Sequence, residues 1–301
     1  MAENDLETSP ALEAILIGLK SVGVPFFVAL VGAVLLGILG KANDSHGKRL
    51  KSLLTSVLLV SGVLAGFAAM NYERWQFPPA QVMDWLPIAL ILTFVVLLPL
   101  ELLRPGRYLW FAAQALIAIL AARLVLPPAI LNKGLVISTV YLAALALVFV
   151  AVWRYLDRCR EQPRCGIALM FTSGALAIVV SLGGSIVIGS VANNLMGALA
   201  GWMLLSIVGG WIPLSRALIG SLAIMFCMVL ASAFFYAEIS PILLGVVALG
   251  LPSAQLARLV PAVEQHRRWR ELMASGTATV LPLLAAVGFV AWNYFQQANA
   301  Y

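Results

Sequence analysis

Long apolar runs alternate with short polar connections along this whole chain, and the basic residues fall in every second connection. An α-helix needs about 20 mostly apolar residues to cross the hydrocarbon core of a bilayer. Runs of that order fall at 21–40, 52–70, 85–103, 108–126, 135–154, 167–190, 195–214, 217–237, 240–257 and 275–295. The charge-free stretch 165–215 is too long for one helix, and its paired asparagines, Asn193 and Asn194, place a turn at 191–194. Ser240-Pro241 starts the ninth helix, because proline suits a first helical position. The expected fold is therefore all-α: a polytopic integral membrane protein of about ten transmembrane helices.

Charge sets the orientation. The odd-numbered connections hold Lys41, Lys48, Arg49, Lys51, Arg104, Arg107, Arg154, Arg158, Arg160, Arg164, Arg216, Arg258, Arg267, Arg268 and Arg270. The other side holds Lys20, Arg74, Arg123 and Lys133. Cytoplasmic loops carry the Lys and Arg excess, so both termini are expected outside a plasma (cytoplasmic) membrane. An acidic external segment 1–20 then precedes a first five-helix half at 21–155. A cytoplasmic linker at 156–166, a second half at 167–295 and an external tail at 296–301 follow. The acidic start, with Glu3, Asp5 and Glu7, lacks the basic opening of a secretory signal, so the first span is expected to be retained.

Composition agrees. The chain is 62% hydrophobic and 11% charged, with mean hydropathy +0.99, beyond what a soluble core of this size can bury. The +6 net charge reads as topology rather than nucleic-acid binding, because no basic, aromatic-interleaved soluble module is present. The expected partners are the lipid bilayer and anionic headgroups at the cytoplasmic loops. The segment 259–273, with Trp269 among basic residues, is long enough for an interfacial helix. Trp75, Trp85, Tyr108, Trp110, Trp153, Tyr155, Trp292 and Tyr294 lie near predicted span ends and read as headgroup anchors.

Two short matches in the same order relate the two halves. Ala122-Arg123-Leu124-Val125 is matched by Ala257-Arg258-Leu259-Val260, and Phe149-Val150-Ala151-Val152-Trp153 by Phe289-Val290-Ala291-Trp292. The matches lie five spans apart, so the second copy would be inverted, as in many secondary transporters. Chance matching in an Ala/Leu/Val-rich chain competes with this reading.

Few residues invite chemistry. Ionisable groups within or beside spans are Glu101, Arg123 and Glu238, and none lies clearly central. Glu101 can pair with Arg104 or snorkel, Arg123 can snorkel, and Glu238 falls in a short hairpin. Ser181, Ser185, Asn193, Asn194, Gln114 and Gln255 are neutral candidates for a substrate pathway, and Gly183, Gly184, Gly250 and Pro252 are candidate helix breaks. Gly62-x-x-x-Gly66 and Gly197-x-x-x-Gly201 indicate close helix packing.

Cys159, Cys165 and Cys227 fit neither a disulfide framework nor a metal site, since His46 and His266 lie in other loops. No zinc motif, nucleophile elbow or P-loop is present, so no enzyme activity, metal or cofactor is expected. Two functions remain: a carrier of a small solute, or a non-catalytic subunit, assembly factor or scaffold bound to other membrane proteins.

Overall fold

The computed structural model describes residues 10–39, 45–71, 79, 81–103, 106–160, 162–208, 214–259 and 267–298. Glu3, Asp5, Glu7, Lys41, Arg74, Trp75, Arg104, His266 and residues 260–266 of the expected interfacial segment lie outside these. Among the described residues all regular structure is helical. The helices are α1 (Pro10–Leu39), α2 (Ser45–Asn71), α3 (Val82–Leu103), α4 (Arg107–Val125), α5 (Pro128–Leu131) and α6 (Leu135–Cys159). They continue with α7 (Pro163–Leu182), α8 (Ile186–Val208), α9 (Arg216–Tyr236), α10 (Pro241–Ala248), α11 (Gly250–Ser253), a 3₁₀ segment (Ala254–Leu259) and α12 (Arg267–Ala298).

Among the described residues eight helices, α2, α3, α4, α6, α7, α8, α9 and α12, are long and apolar enough to cross a membrane. Two further apolar helical stretches, Leu16–Gly32 and Pro241–Leu256, are shorter. The helical bundle thus has the helix lengths and composition of a membrane protein. α1 starts at Pro10, well ahead of the expected boundary at 21. α12 runs unbroken from Arg267, so the last part of the expected interfacial segment is the first turns of the final long helix.

The turn expected at 191–194 is displaced. α7 ends at Leu182 and α8 begins at Ile186, leaving Asn193 and Asn194 inside α8. The stop is made by glycine. Ser185 N–H reaches back to the Val180 carbonyl at 3.0 Å, the long-range bond of a helix end with a glycine beyond its cap. Gly184 there has φ +125°, which a residue with a Cβ adopts only under strain. Ser185 then caps α8, its hydroxyl accepting from Ile188 N–H at 3.3 Å. An asparagine pair cannot compete with that geometry when helix can continue through it.

α9 is the central post. Its residues Ala217 to Val229 are all buried, among α3, α4, α6, α8 and, at fewer points, α2, α7 and α10. α1 lies against α2 and α8, and α12 against α7, α11 and the 3₁₀ segment. α6 is the least buried of the eight long helices.

Both glycine pairs expected to pack closely do so, and on one partner. Cβ atoms at Gly62 and Gly66 of α2 would meet Pro25 of α1, at 3.0 Å from its carbonyl oxygen and 2.9 Å from its ring. Those at Gly197 and Gly201 of α8 would meet α1 backbone, at 2.5 Å from the Val22 oxygen and 2.9 Å from the Phe26 oxygen. α1 is therefore gripped from two sides around its internal proline.

Two aromatic anchors turn out to be core. Trp153 is fully buried, wedged beside Gly220 and Leu97, and Trp110 is buried at the start of α4. Glycine at 220 opens a slot for the indole, so an apolar face outcompetes the headgroup zone. Tyr108, Trp292 and Tyr294 are exposed, as anchors require.

Candidate functional site

Polar groups collect in two places. At one end of the bundle the α9 N-terminus is bonded from several helices. The Glu101 carboxylate of α3 accepts from the backbone N–H of Arg216 at 3.1 Å and of Ala217 at 2.9 Å. Ser215 is the N-cap, accepting from Leu218 N–H at 3.1 Å, and its hydroxyl lies 2.7 Å from that of Ser56 on α2. The first N–H groups of a helix lack internal partners, and a carboxylate there also favours the helix dipole. Arg216 itself lies 3.6 Å from Asp157 of α6 and 5.8 Å from the Trp110 ring centroid. Glu101 is a helix cap delivered across 115 residues of sequence; Arg104, its expected partner, lies outside the described residues.

The interrupted ninth apolar segment continues this end. Tyr155 hydroxyl donates to the Leu251 carbonyl at 2.9 Å, and Gln255 amide N–H reaches Tyr155 Oη at 3.2 Å and Cys159 Sγ at 3.0 Å. Gln255 is thus held to α6 as a structural tie, with its amide oxygen buried and unbonded.

The middle of the bundle is different. Asn194 of α8 is fully buried, and neither its amide oxygen nor its nitrogen has a partner. It faces α2, where a Cβ at Gly66 would collide with its oxygen and with the Pro25 ring. Proline at 25 also removes an N–H from α1. On α7, Thr172 and Ser173 are fully buried with unpartnered hydroxyls. Thr172 presses on the helix break, since a Cβ at Gly250 would lie 2.7 Å from its hydroxyl. Buried polar groups are nearly always bonded, and in a lipid-embedded bundle no bulk water relieves them.

The other expected pathway residues scatter. Ser181 sits where α7 and α8 cross, opposite Gly189. Ser185 is a helix cap, Asn193 is half-buried, and Gln114 is buried on α4. Arg123 is exposed in the last turn of α4, and Glu238 is exposed in the α9–α10 turn with φ 54°. Gly183 and Gly184 form the α7–α8 turn rather than an interruption within a span. Gly250 and Pro252 do lie at an interruption, where α10 gives way to α11 and the 3₁₀ segment. The nine pathway candidates do not converge on one cavity.

Thr172, Ser173, Tyr155 and Pro25 were not singled out as site residues from sequence. Thr172-Ser173 adjoin Gly174 in an otherwise apolar helix, and Pro25 interrupts an apolar run; those local departures were the available signals. No group of acidic, histidine and cysteine side chains among the described residues is suited to hold a metal ion. No family model matches the chain, and no curated protein resembles it in sequence.

Proposed function

We propose that this chain is a ten-crossing carrier of a small solute in the plasma membrane, with both termini outside and no nucleotide site or catalytic role. The observation that carries the proposal is the contact of α7 with the broken ninth segment. The ninth segment passes from α-helix to a 3₁₀ turn through Gly250 and Pro252; 3₁₀ stretches within a helix often mark a hinge, and interrupted helices form solute sites in carriers. Here the break at Gly250 meets the unpartnered Thr172 hydroxyl.

Ten crossings are supported by how the two shorter apolar stretches pack. Leu16–Gly32 lies within α1, which runs along α2 and α8, and Pro241–Leu256 lies beside α12 and α7. An inverted repeat draws support from matched pairings: α1 with α2 and α7 with α8, α4 with α6 and α10–α11 with α12, and α3 with its own counterpart α9. Several pairings break the match, α7 with α12 and α6 with α9 among them, whose counterparts α1 with α6 and α3 with α12 make no comparable contact among the described residues. α1 packs extensively on α8, whereas among the described residues α2 makes no comparable contact with α7.

The test is water access from outside the bundle. In a background of Cys159→Ser, Cys165→Ser and Cys227→Ala, Thr172→Cys in proteoliposomes should react with a small, membrane-impermeant methanethiosulfonate. Gly184→Cys in the exposed α7–α8 turn is the fast control. A Thr172→Cys thiol wholly inert while Gly184→Cys is modified would overturn the carrier reading. The second reading, a non-transporting subunit, is favoured by the exposed apolar face of α6, with Leu135, Val136, Val140 and Leu147 all exposed. That reading predicts a partner helix cross-linked along this face.

A further inference from the structure

Three arginines gather where the start of α4 meets the end of α6. Arg154 and Arg158 lie one turn apart on α6, and both are exposed. The Arg154 guanidinium stands 4.6 Å from the centroid of the Phe111 ring on α4, and Arg107 lies one turn before Phe111. Arg107 is itself 5.6 Å from the Tyr108 ring centroid. Among the described residues none of the three lies within ion-pair distance of an acidic group. Asp157, the nearest carboxylate along α6, is turned the other way, to Arg160 at 3.8 Å and to Arg216 of α9 at 3.6 Å. Like charges held together in this way favour an anion between them.

The arginines end an apolar stripe. Val140, Ala143, Leu147, Ala151, Arg154 and Arg158 follow one another at three- and four-residue spacing, and every one is exposed. Residues so spaced share one side of a helix. Val140 and Leu147 are 62% and 70% exposed, and Phe111 on the neighbouring helix is 46% exposed. From Val140 to Ala151 the apolar part extends along about 17 Å of helix, at 1.5 Å per residue. That is close to one leaflet of a bilayer core roughly 30 Å thick, so the charges begin where a leaflet's hydrocarbon would end.

A stripe of this kind is covered by a lipid chain or by a partner's helix, and the charge favours the lipid. A partner helix would have to supply acidic groups of its own at the level of Arg154. A phospholipid carries a phosphate at the end of an acyl chain, and so matches stripe and arginines together. The planar guanidinium donates in pairs to phosphate oxygens, and the Phe111 ring already holds Arg154 beside Arg107. A headgroup with net negative charge gains from all three arginines, whereas a zwitterionic one brings a cation that they repel.

We infer a binding site for one anionic phospholipid on the α4–α6 face, its phosphate among Arg107, Arg154 and Arg158 and an acyl chain along the stripe from Ala151 to Val140. The site does not rest on the carrier reading, because lipid retention is measured without transport. The experiment is native mass spectrometry of the full chain extracted from bilayers of dioleoylphosphatidylcholine and dioleoylphosphatidylglycerol in equal amounts. One phosphatidylglycerol should remain per chain, roughly tenfold more than phosphatidylcholine. The combined Arg107→Gln, Arg154→Gln and Arg158→Gln variant should lose that preference, and Arg154→Gln alone should weaken it should the triple variant not fold. Arg123→Gln with Lys133→Gln removes exposed charge from the opposite ends of α4 and α6 and should leave the preference intact. Equal retention of both lipids by the parent chain, a preference unchanged in the folded α4–α6 variants, an equal loss in the opposite-end variant, or a lipid-free dimer would overturn the assignment.

Discussion

The Arg216 end and the middle of the bundle both hold polar groups, in opposite conditions. At the Arg216 end the Glu101 carboxylate and the Ser56 and Ser215 hydroxyls are joined into the cap of α9. In the middle, Asn194, Thr172 and Ser173 are fully buried and unpartnered. The lesson reverses the intuition that charge marks function. The acidic Glu101 within a span is structural, and the fully buried side chains with no hydrogen-bond partner in the middle of the bundle are neutral.

The largest effect expected from breaking this comparison is at the grip on α1. Gly197→Val would drive a side chain into α1 backbone, which has no soft end to yield. Overpacking of that kind costs about 3 kcal/mol or more, read as loss of folded protein in denaturant titration from bicelles. Next, Glu101→Ala should cost about 2 kcal/mol, because it strands two N–H groups at the head of a buried helix. A loss within error of zero would mean that water replaces the carboxylate.

The sign should then change in the middle. Asn194→Leu and Thr172→Val replace unpartnered polar groups by apolar ones of similar size, and each should leave stability unchanged or raise it by about 1 kcal/mol. If instead either variant loses 2 kcal/mol or more, the group has a partner and the contrast between the two regions fails. The smallest effect is expected at Gly184→Ala, about 1 kcal/mol of backbone strain at φ +125° with open space around the new methyl. Gly245→Ala, in open space within α10, is its control of opposite sign, expected to gain about 0.5–1 kcal/mol.

Much of the fold was legible in the chain. Helical class, the apolar stretches, the α10 start at Ser240-Pro241, the break at Gly250-Pro252 and both glycine pairs were expected and are present. The α7–α8 boundary was misplaced because two asparagines outweighed two glycines, although only glycine takes the left-handed conformation freely. The candidate site was legible in part. Asn194 was named for a turn and lies instead at a helix crossing. Glu101 was named for a charge that caps a helix far along the sequence. Trp153 was named for the headgroup zone and fills a slot made by Gly220.

The sequence by itself determined what each stretch prefers as solvent. Hydrocarbon, headgroup and water act on residues one stretch at a time, so hydropathy and the placement of Lys and Arg can be read without knowing any neighbour. Only the tertiary structure decided which polar groups are bonded and which helices grip α1. Those outcomes depend on contacts between residues far apart in the chain, such as Glu101 with Ala217 and Asn194 with Gly66. Such partners are chosen by packing, and packing is a property of the assembled helices.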